Sequence, residues 1–390
     1  MTTPLDPTLL TQAQKGDSRA QLAVGLACQA RPNATPQDKA EGAAWLQKSA
    51  MQGNAEAQCH LGICFLWGKG VDKNWPAAAR WFQDAAEKGL PRAQYWMGEL
   101  FRNGTAVPKN HAEAVRWYRL AAAQGDAGAE GALGNAYWFG EGVKRDDAVA
   151  AQHLKKASEA GFAPSQKLYG DFFLLGLGGL TKSDTEAAAW YAKAAALQYH
   201  PAQMALGECY LTGKGVPQDA AQGVKWLEKP AAGGDAKAQY LMGQCFEKGT
   251  GAPQDFAAAV TSYEKSAAQE YAPAQQALGD CLLAGKGATA DSARAIQLFE
   301  KAAKREDAKA QYSLGLCCYK GNGMQKDLEA AARWFRKSAL QGNAQAQFAY
   351  GEFCRGGLGG VDQDETEAMN WYREAAAQGH AKAKEKISGK

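Results

Sequence analysis

The chain of 390 residues lacks the residue patterns on which most enzymes and metalloproteins depend. Its nine cysteines include no Cys-x-x-Cys pair and no Cys/His cluster, so no zinc site is predicted. The five histidines are scattered without ligand spacing. The Gly-Lys-Gly turns lack a preceding strand and the spacing of a phosphate-binding loop. We therefore predict no catalytic residues, no metal and no cofactor.

One enzyme motif occurs, but only in part. Ser262 and Lys265 match the S-x-x-K motif of penicillin-recognising enzymes, while the S-D-N and K-T-G motifs that accompany it are missing. A hydrolase acting on cell-wall-like or β-lactam substrates therefore remains an alternative from a different functional class. The main expectation is a protein that is not an enzyme.

Long apolar runs and a strong charge imbalance are also lacking. No stretch approaches the roughly 20 apolar residues of a membrane helix, and the N-terminus has no signal-peptide pattern. The net charge is only +3, and no basic block stands out, which argues against nucleic-acid binding. The cysteines are interpreted as small buried residues in a reducing compartment. We expect a cytoplasmic protein without a membrane or nucleic-acid partner.

What the chain does contain is repetition. One glycine recurs every 36 or 37 residues, and self-similarity at this period indicates a solenoid. We call the surrounding units repeats 1 to 10 and call this residue the repeat glycine. The ten repeat glycines are Gly25, Gly62, Gly98, Gly134, Gly170, Gly207, Gly243, Gly279, Gly315 and Gly351.

Each repeat is predicted to form two helices, as repeat 2 illustrates. Asn54 is a cap for the first helix, and Asn74 caps the second after a glycine-rich turn. Trp81 follows with the small Ala78 one turn earlier, a pairing that predicts core packing. Repeat 1 has its second cap at Asp38. The sequence predicts an all-α, right-handed superhelical solenoid of about ten antiparallel helix-turn-helix repeats.

These residues carry a resemblance to a known family. The pattern A-x-A-Q-x-x-L-G-x-x-Y/F-x-x-G-x-G-V, followed by D-x-x-x-A-x-x-W-Y/F-x-K-A-A-x-Q-G, resembles the Sel-1-like repeat family, which is similar in fold to tetratricopeptide repeats. The resemblance covers roughly residues 16–379. It implies a right-handed α-solenoid that serves as an adaptor or scaffold for other proteins.

The predicted organisation is one solenoid domain over residues 1–390. Within it we expect an N-terminal capping repeat over 16–52, nine Sel-1-like repeats over 53–378 and a C-terminal partial helix over 379–390.

A binding surface can be predicted from helical geometry. Recognition in a solenoid usually lies on the concave face made by the first helices. The positions six and two before the repeat glycine, and one and five after it, should face away from the core. Acids and amides directly after the glycine would favour a basic or amide-rich peptide. Apolar residues on the same face are interface anchors, or else they pack between repeats. The candidates are His60, Ile63, Trp67, Trp96, Glu99, Asn135, Phe139, Asp171, Leu175 and Glu208.

The leading functional hypothesis is a non-enzymatic adaptor or scaffold that holds a protein or peptide in the concave groove. The second hypothesis is a specific regulator, or an immunity-type neutraliser, of one enzyme or toxin that uses the same groove.

Repeat 6 is predicted to contain a kinked helix and a soft joint. Pro230 lies inside its second helix, where proline removes one backbone hydrogen bond at a cost of about 3 kcal/mol. Amide hydrogen exchange should therefore be faster over residues 226–234 than over residues 81–88 of repeat 2. Equal protection of the two segments would contradict this prediction.

Overall fold

The computed structural model describes residues 6–388, and within this range it contains 22 α-helices and no strand. No helix in this range is both long and apolar enough to cross a membrane. The helices are α1 (Pro7–Gln14), α2 (Ser18–Gln29), α3 (Pro36–Met51), α4 (Ala55–Trp67), α5 (Trp75–Glu87), α6 (Pro91–Asn103), α7 (His111–Ala122), α8 (Ala127–Phe139), α9 (Asp147–Glu159), α10 (Ala163–Leu175), α11 (Asp184–Ala196), α12 (His200–Thr212), α13 (Ala220–Ala232), α14 (Ala236–Lys248), α15 (Phe256–Ala268), α16 (Ala272–Ala284), α17 (Ser292–Lys304), α18 (Ala308–Lys320), α19 (Leu328–Leu340), α20 (Ala344–Gly356), α21 (Glu365–Ala377) and α22 (Ala381–Ser388).

The chain forms two compact units, Met1–Tyr199 and His200–Lys390. We call the even-numbered helices α2 to α20 the A-helices and the odd-numbered helices α3 to α21 the B-helices. Each A-helix packs on the B-helix of its own repeat, and within each unit that B-helix packs on the next A-helix. The all-α solenoid of ten repeats is therefore confirmed. The predicted single domain over 1–390 stays a prediction, and residues 1–5 and 389–390 lie outside the described range.

Capping side chains fix where the helices begin. The Asn54 side chain accepts a hydrogen bond from the Ala57 amide at the start of α4, and Asn74 does the same for α5. The prediction of Asp38 as the second cap of repeat 1 is wrong, because α3 begins two residues earlier at Pro36 and its cap is Thr35. The Asp38 carboxylate instead completes a capping box with Thr35.

In each repeat, the repeat glycine lies against one large side chain of the B-helix. A Cβ placed on Gly62 would lie 2.7 Å from the Phe82 ring, so only glycine lets this ring reach the A-helix backbone. Phe82 is completely buried. We call this B-helix residue the anchor. The ten anchors are Leu46, Phe82, Tyr118, Leu154, Tyr191, Leu227, Tyr263, Phe299, Phe335 and Tyr372.

The anchors correct our assignment of the core tryptophans by one residue. Trp81 is half-buried and packs against the cluster that contains Leu61, whereas its neighbour Phe82 is fully buried in the next cluster, together with Ala78. Ala78, which is fully buried, lies four residues before Phe82. The small residue therefore pairs with the anchor at i, i+4 instead of with the tryptophan at i, i+3.

A buried glutamine joins most repeats to the preceding one. The Gln58 side chain donates to the Ala50 carbonyl at the end of the previous B-helix, at 3.3 Å. Its carbonyl oxygen accepts a hydrogen bond from Lys88 of its own repeat, at 3.0 Å. The same donation to the carbonyl eight residues earlier is made by Gln21, Gln94, Gln166, Gln239, Gln275, Gln311 and Gln347.

The two ends of the array are closed by short helices. Helix α1 precedes the predicted capping repeat and was not expected, although Asp6 and Pro7 form a typical helix start. Ala13 of α1 supplies the carbonyl that accepts from Gln21, in the role a preceding B-helix plays elsewhere. Helix α22 lies within the segment 379–390, whose assignment as a C-terminal partial helix stays a prediction.

Helix α13 continues through Pro230 to Ala232, with the same length of 13 residues as most other helices. The proline is buried two residues before the last residue of the helix, and the helix contains no break. The softness of this segment stays a prediction.

Replacing a repeat glycine should destabilise the fold. We expect Gly62→Ala to lower the unfolding free energy by about 1–2 kcal/mol, because overpacking outweighs the gain in helix propensity. Urea unfolding of the full-length chain measures this change. The control is Gly128→Ala in α8, where the nearest atom to the new methyl group lies 3.2 Å away. Equal effects of the two substitutions would contradict the close-packing explanation.

Candidate functional site

The candidate surface is made by the A-helices of repeats 2 to 5, all in the first unit. At the position five residues after the repeat glycine, three large apolar side chains point into solvent. Trp67 is 59% exposed, Phe139 62% and Leu175 60%. These are three of the predicted residues, and we call them the apolar edge. The other seven candidates are only half-buried and have structural neighbours.

The structure brings Trp67, Trp96 and Glu99 together around one pocket of about 320 Å³. Asn103 also lines this pocket, and it occupies in repeat 3 the position that Trp67 occupies in repeat 2. Because asparagine is smaller than the large apolar residues of the neighbouring repeats, it leaves an opening in the apolar edge. The pocket has the size of a small ligand site or of one bulky side chain.

Trp96, Ile63 and His60 belong largely to the packing between repeats 2 and 3. The Trp96 ring stacks on the buried Phe82 ring with centroids 5.7 Å apart, and Ile63 packs against the same hydrophobic cluster. Burial lowers the pKa of His60 and so favours its neutral form. A Trp96 and Glu99 double substitution, the natural first test from the sequence, would therefore damage the fold. Trp67 is the better choice for a test of binding.

The carboxylates that follow the repeat glycine have structural partners. Glu99 accepts hydrogen bonds from the Tyr118 hydroxyl at 2.7 Å and from Arg102 at 2.9 Å. Burial, and then the charge of Glu99, raise the pKa of Tyr118. Asp171 accepts from Tyr191 and from Lys167, both at 2.7 Å. These carboxylates satisfy the hydroxyl groups of buried tyrosine anchors.

The anchor and the residue after the glycine are matched in several repeats. Tyr372 donates to Glu352 in repeat 10, as Tyr118 and Tyr191 do in repeats 3 and 5. Where the anchor is Phe82, the matching residue is the apolar Ile63. Much of the predicted acidic column is therefore explained by the core. A preference for a basic or amide-rich peptide stays a prediction.

Asn135 and Glu208 complete the predicted set. Asn135 lies half-buried in α8, opposite the Leu154 anchor of its repeat. Glu208 lies in the second unit, where it forms an ion pair of 2.7 Å with Lys237. Its repeat has Leu227 as anchor, so no tyrosine requires this carboxylate.

Three pocket residues, Lys73, Trp75 and Tyr95, were missed by the sequence reasoning. Trp75 begins α5 and is 47% exposed, and the Lys73 ammonium lies 4.7 Å from its ring centroid. Tyr95 packs edge-on against Trp96. A bulky aromatic directly after the cap Asn74 was the available signal. The prediction used only A-helix positions and therefore passed over Lys73 in the turn and Trp75 on the B-helix. Tyr95 lies on the A-helix α6, but three residues before the repeat glycine, which is not one of the positions predicted to face outward.

The pocket is bordered by a turn with an unusual backbone. Ala106 has φ of 62°, in the left-handed region, at the position where repeats 2 and 4 have Gly70 and Gly142. This conformation costs about 1–2 kcal/mol more for alanine than for glycine. Its neighbour Thr105 lines the pocket. Strained residues of this kind are found preferentially at functional sites.

Ser262 and Lys265 do not form a recognisable catalytic pair. The Ser262 hydroxyl donates to the Ala258 carbonyl at 2.8 Å, one turn earlier in α15. Lys265 is exposed on the same helix. Among residues 6–388, no group of three or more His, Cys, Asp or Glu residues could hold a metal ion.

Asp280 should destabilise the fold at neutral pH. Burial raises its pKa to about 6, although hydrogen bonds from Ser313 and Gln276 act in the opposite direction. Since the folded-state pKa exceeds the usual value, ionisation opposes folding, and stability falls as the pH rises from about 4 through 6. Asp280 is nonetheless an exposed residue, so solvent screens its carboxylate and limits the effect. We expect Asp280→Asn to raise the Tm by roughly 2 °C at pH 7.5 and by clearly less at pH 4.5, where the folded-state carboxyl is largely protonated.

The control for Asp280 is Glu208→Gln at the same position of repeat 6. It removes a negative charge together with the ion pair to Lys237. Its Tm at pH 7.5 should not rise. A similar rise in both variants would indicate a general charge effect.

Comparison with known proteins identifies the family. The Sel1 repeat model matches ten consecutive segments, 18–54, 55–90, 91–126, 127–162, 163–199, 200–235, 236–271, 272–307, 308–343 and 344–380. No curated protein matches the sequence.

Two solved structures share about a third of the sequence. A protective antigen of uropathogenic Escherichia coli with an SLR fold is 31% identical over 97% of this chain and 89% of its own, with a TM-score of 0.50. A Sel1 repeat protein from Oxalobacter formigenes is 30% identical over 79% of this chain and 89% of its own, with a TM-score of 0.53. The chain therefore belongs to the Sel1 repeat family, with ten Sel1 repeats over residues 18–380.

Proposed function

We propose that this protein is a non-enzymatic scaffold that binds a segment of another protein along the apolar edge of repeats 2 to 5. Sel1 repeat proteins generally mediate protein–protein interactions, which supports the broad class. The surface residues of this chain support the location of the binding site on the apolar edge. In this proposal the protein needs no cofactor. We also propose a cytoplasmic location, because free cysteines suit a reducing compartment.

The observation that carries the proposal is the difference between the two units at one position. Five residues after the repeat glycine, the first unit has Trp67, Phe139 and Leu175, each about 60% exposed. The same position in the second unit is occupied by Thr212, Lys248, Ala284, Lys320 and Gly356. The fold therefore does not require a large apolar residue there. Exposed aromatic and apolar side chains in one row are typical of protein interfaces.

The pocket beside Trp67 is the second observation that supports the proposed binding site. An interface is strongest where one bulky side chain of the partner enters a desolvated pocket. The opening at Asn103 lies between aromatic side chains, with Trp67 and Trp75 on its rim. We propose that an apolar side chain of the partner occupies it. Of the ten candidates, Trp67, Phe139 and Leu175 would touch the partner, whereas Trp96, Glu99 and Asp171 would support the surface.

Replacing the apolar edge should abolish partner binding without unfolding the protein. The test variant combines Trp67→Thr, Phe139→Lys and Leu175→Ala, because the second unit already carries these residue types at the same position. Co-purification from native cells, quantified by mass spectrometry, should show at least a tenfold loss of the proteins bound by the wild type. The Tm should change by less than about 3 °C.

The control variant combines Met51→Gln and Leu340→Gln at the ends of α3 and α19. These side chains are 73% and 64% exposed, so the control also removes exposed apolar surface. It should keep the partners of the wild type. Retention of all partners by the edge variant, or equal loss from the control, would refute the proposed site.

A further inference from the structure

A row of basic side chains accompanies the apolar edge. The residue directly before the second cap of each repeat is Lys73 in repeat 2, Lys109 in repeat 3, Arg145 in repeat 4 and Lys182 in repeat 5. All four are exposed. In the second unit the same position holds Gln218, Gln254, Ala290, Lys326 and Gln363. The charge is therefore concentrated in the repeats that carry the apolar edge.

The basic row lies directly beside the apolar edge. Each of its residues contacts the glycine that ends the A-helix, one residue after the edge position. A Cβ placed on Gly68 would lie 3.6 Å from the Cβ of Lys73, and a Cβ placed on Gly176 would lie 3.3 Å from the Cβ of Lys182. The corresponding distances in repeats 3 and 4 are 3.1 and 3.4 Å. Because neighbouring helices pack about 8–10 Å apart, successive repeats present these charges at a regular interval.

Most of this charge is not neutralised within the protein. Arg145 pairs with Asp147 at 2.9 Å. Lys73, Lys109 and Lys182 form no ion pair with any residue between 6 and 388, and Lys73 instead lies over Trp75. Glu99 is paired with Arg102 and Asp171 with Lys167. Asp72 and Asp184 lie near Lys73 and Lys182 in sequence but form no ion pair with them. The three lysines are available to a partner.

We infer that the edge of repeats 2 to 5 recognises an acidic segment that also carries large apolar side chains. This inference rests on the proposed function and specifies the chemistry of its partner. It is an alternative to the basic or amide-rich peptide predicted from the carboxylates that follow the repeat glycines. An apolar side chain enters the pocket between Trp67 and Asn103, while carboxylates of the partner pair with Lys73, Lys109 and Lys182. Complementary charge of this kind sets specificity and speeds association.

The probe for the test is a phage-displayed random peptide library, selected on the full-length protein. Selected peptides should be enriched in Asp and Glu beside Trp, Phe or Leu. The affinity of the synthetic selected peptides is then measured by fluorescence polarisation against the variant Lys73→Gln, Lys109→Gln, Lys182→Gln. Glutamine occurs at this position in repeats 6, 7 and 10, so the variant should fold. We expect about a tenfold loss of affinity, and weaker binding as salt is added.

A second variant, Lys225→Gln, Lys265→Gln, Lys301→Gln, removes the same charge from exposed lysines of the second unit. Its affinity should change less than twofold. Enrichment of basic or uncharged peptides would overturn the inference, as would full affinity of the first variant. Tighter lysine-dependent binding of a fluorescein-labelled single-stranded oligonucleotide would also overturn it.

The same variants separate this inference from the proposed function. If the apolar-edge variant loses its cellular partners while the lysine variant keeps them, the scaffold proposal stands and the acidic chemistry is wrong. If the apolar-edge variant keeps them, the proposed site itself is wrong.

Discussion

The fold depends on one contact, made ten times, between a glycine and a large buried side chain. The missing Cβ of Gly62 lets the Phe82 ring approach the A-helix backbone. This approach sets the distance between the two helices of the repeat, and it also determines which B-helix residues face outward. Phenylalanine, tyrosine and leucine all serve as anchors. The contact therefore fixes the distance between the two helices but does not require one particular residue type. Where the anchor is a tyrosine, its buried hydroxyl also needs an acceptor on the A-helix, which Glu99, Asp171 and Glu352 supply in repeats 3, 5 and 10.

The tyrosine anchors show how a core requirement can resemble a binding surface. A buried hydroxyl needs an acceptor, and Glu99 provides it for Tyr118. Seen along the A-helices alone, such carboxylates form an acidic column suited to a basic partner. Seen with their anchors, they are the polar ends of the core. Comparison of the two units distinguishes residues that the core requires from residues that a partner could bind. Trp67 is exposed, and the second unit folds with small or polar residues at the same position, so the fold does not require it.

Helix type, repeat number and most caps could be predicted, because each depends on residues close in sequence. Asn54 and Asn74 cap the helices as expected. The anchor was assigned one residue too early, since tryptophan was taken as the centre of the core although Phe82 fills it. Of the site, the exposure of Trp67 followed from helical geometry. The roles of Trp75 and Glu99 did not, because they depend on contacts between helices that spacing within one helix cannot reveal.

The buried glutamine has a consequence for how such a protein can change its length. Gln58 binds a main-chain carbonyl of the preceding repeat, and Gln21 binds one from α1, which is not part of a repeat. Every residue type carries a carbonyl, so this link between successive repeats makes no demand on the neighbour's side chain. Duplication or deletion of a whole repeat would preserve it. The number of repeats can thus vary in evolution while the link stays the same, and surface residues of individual copies are left free to diverge.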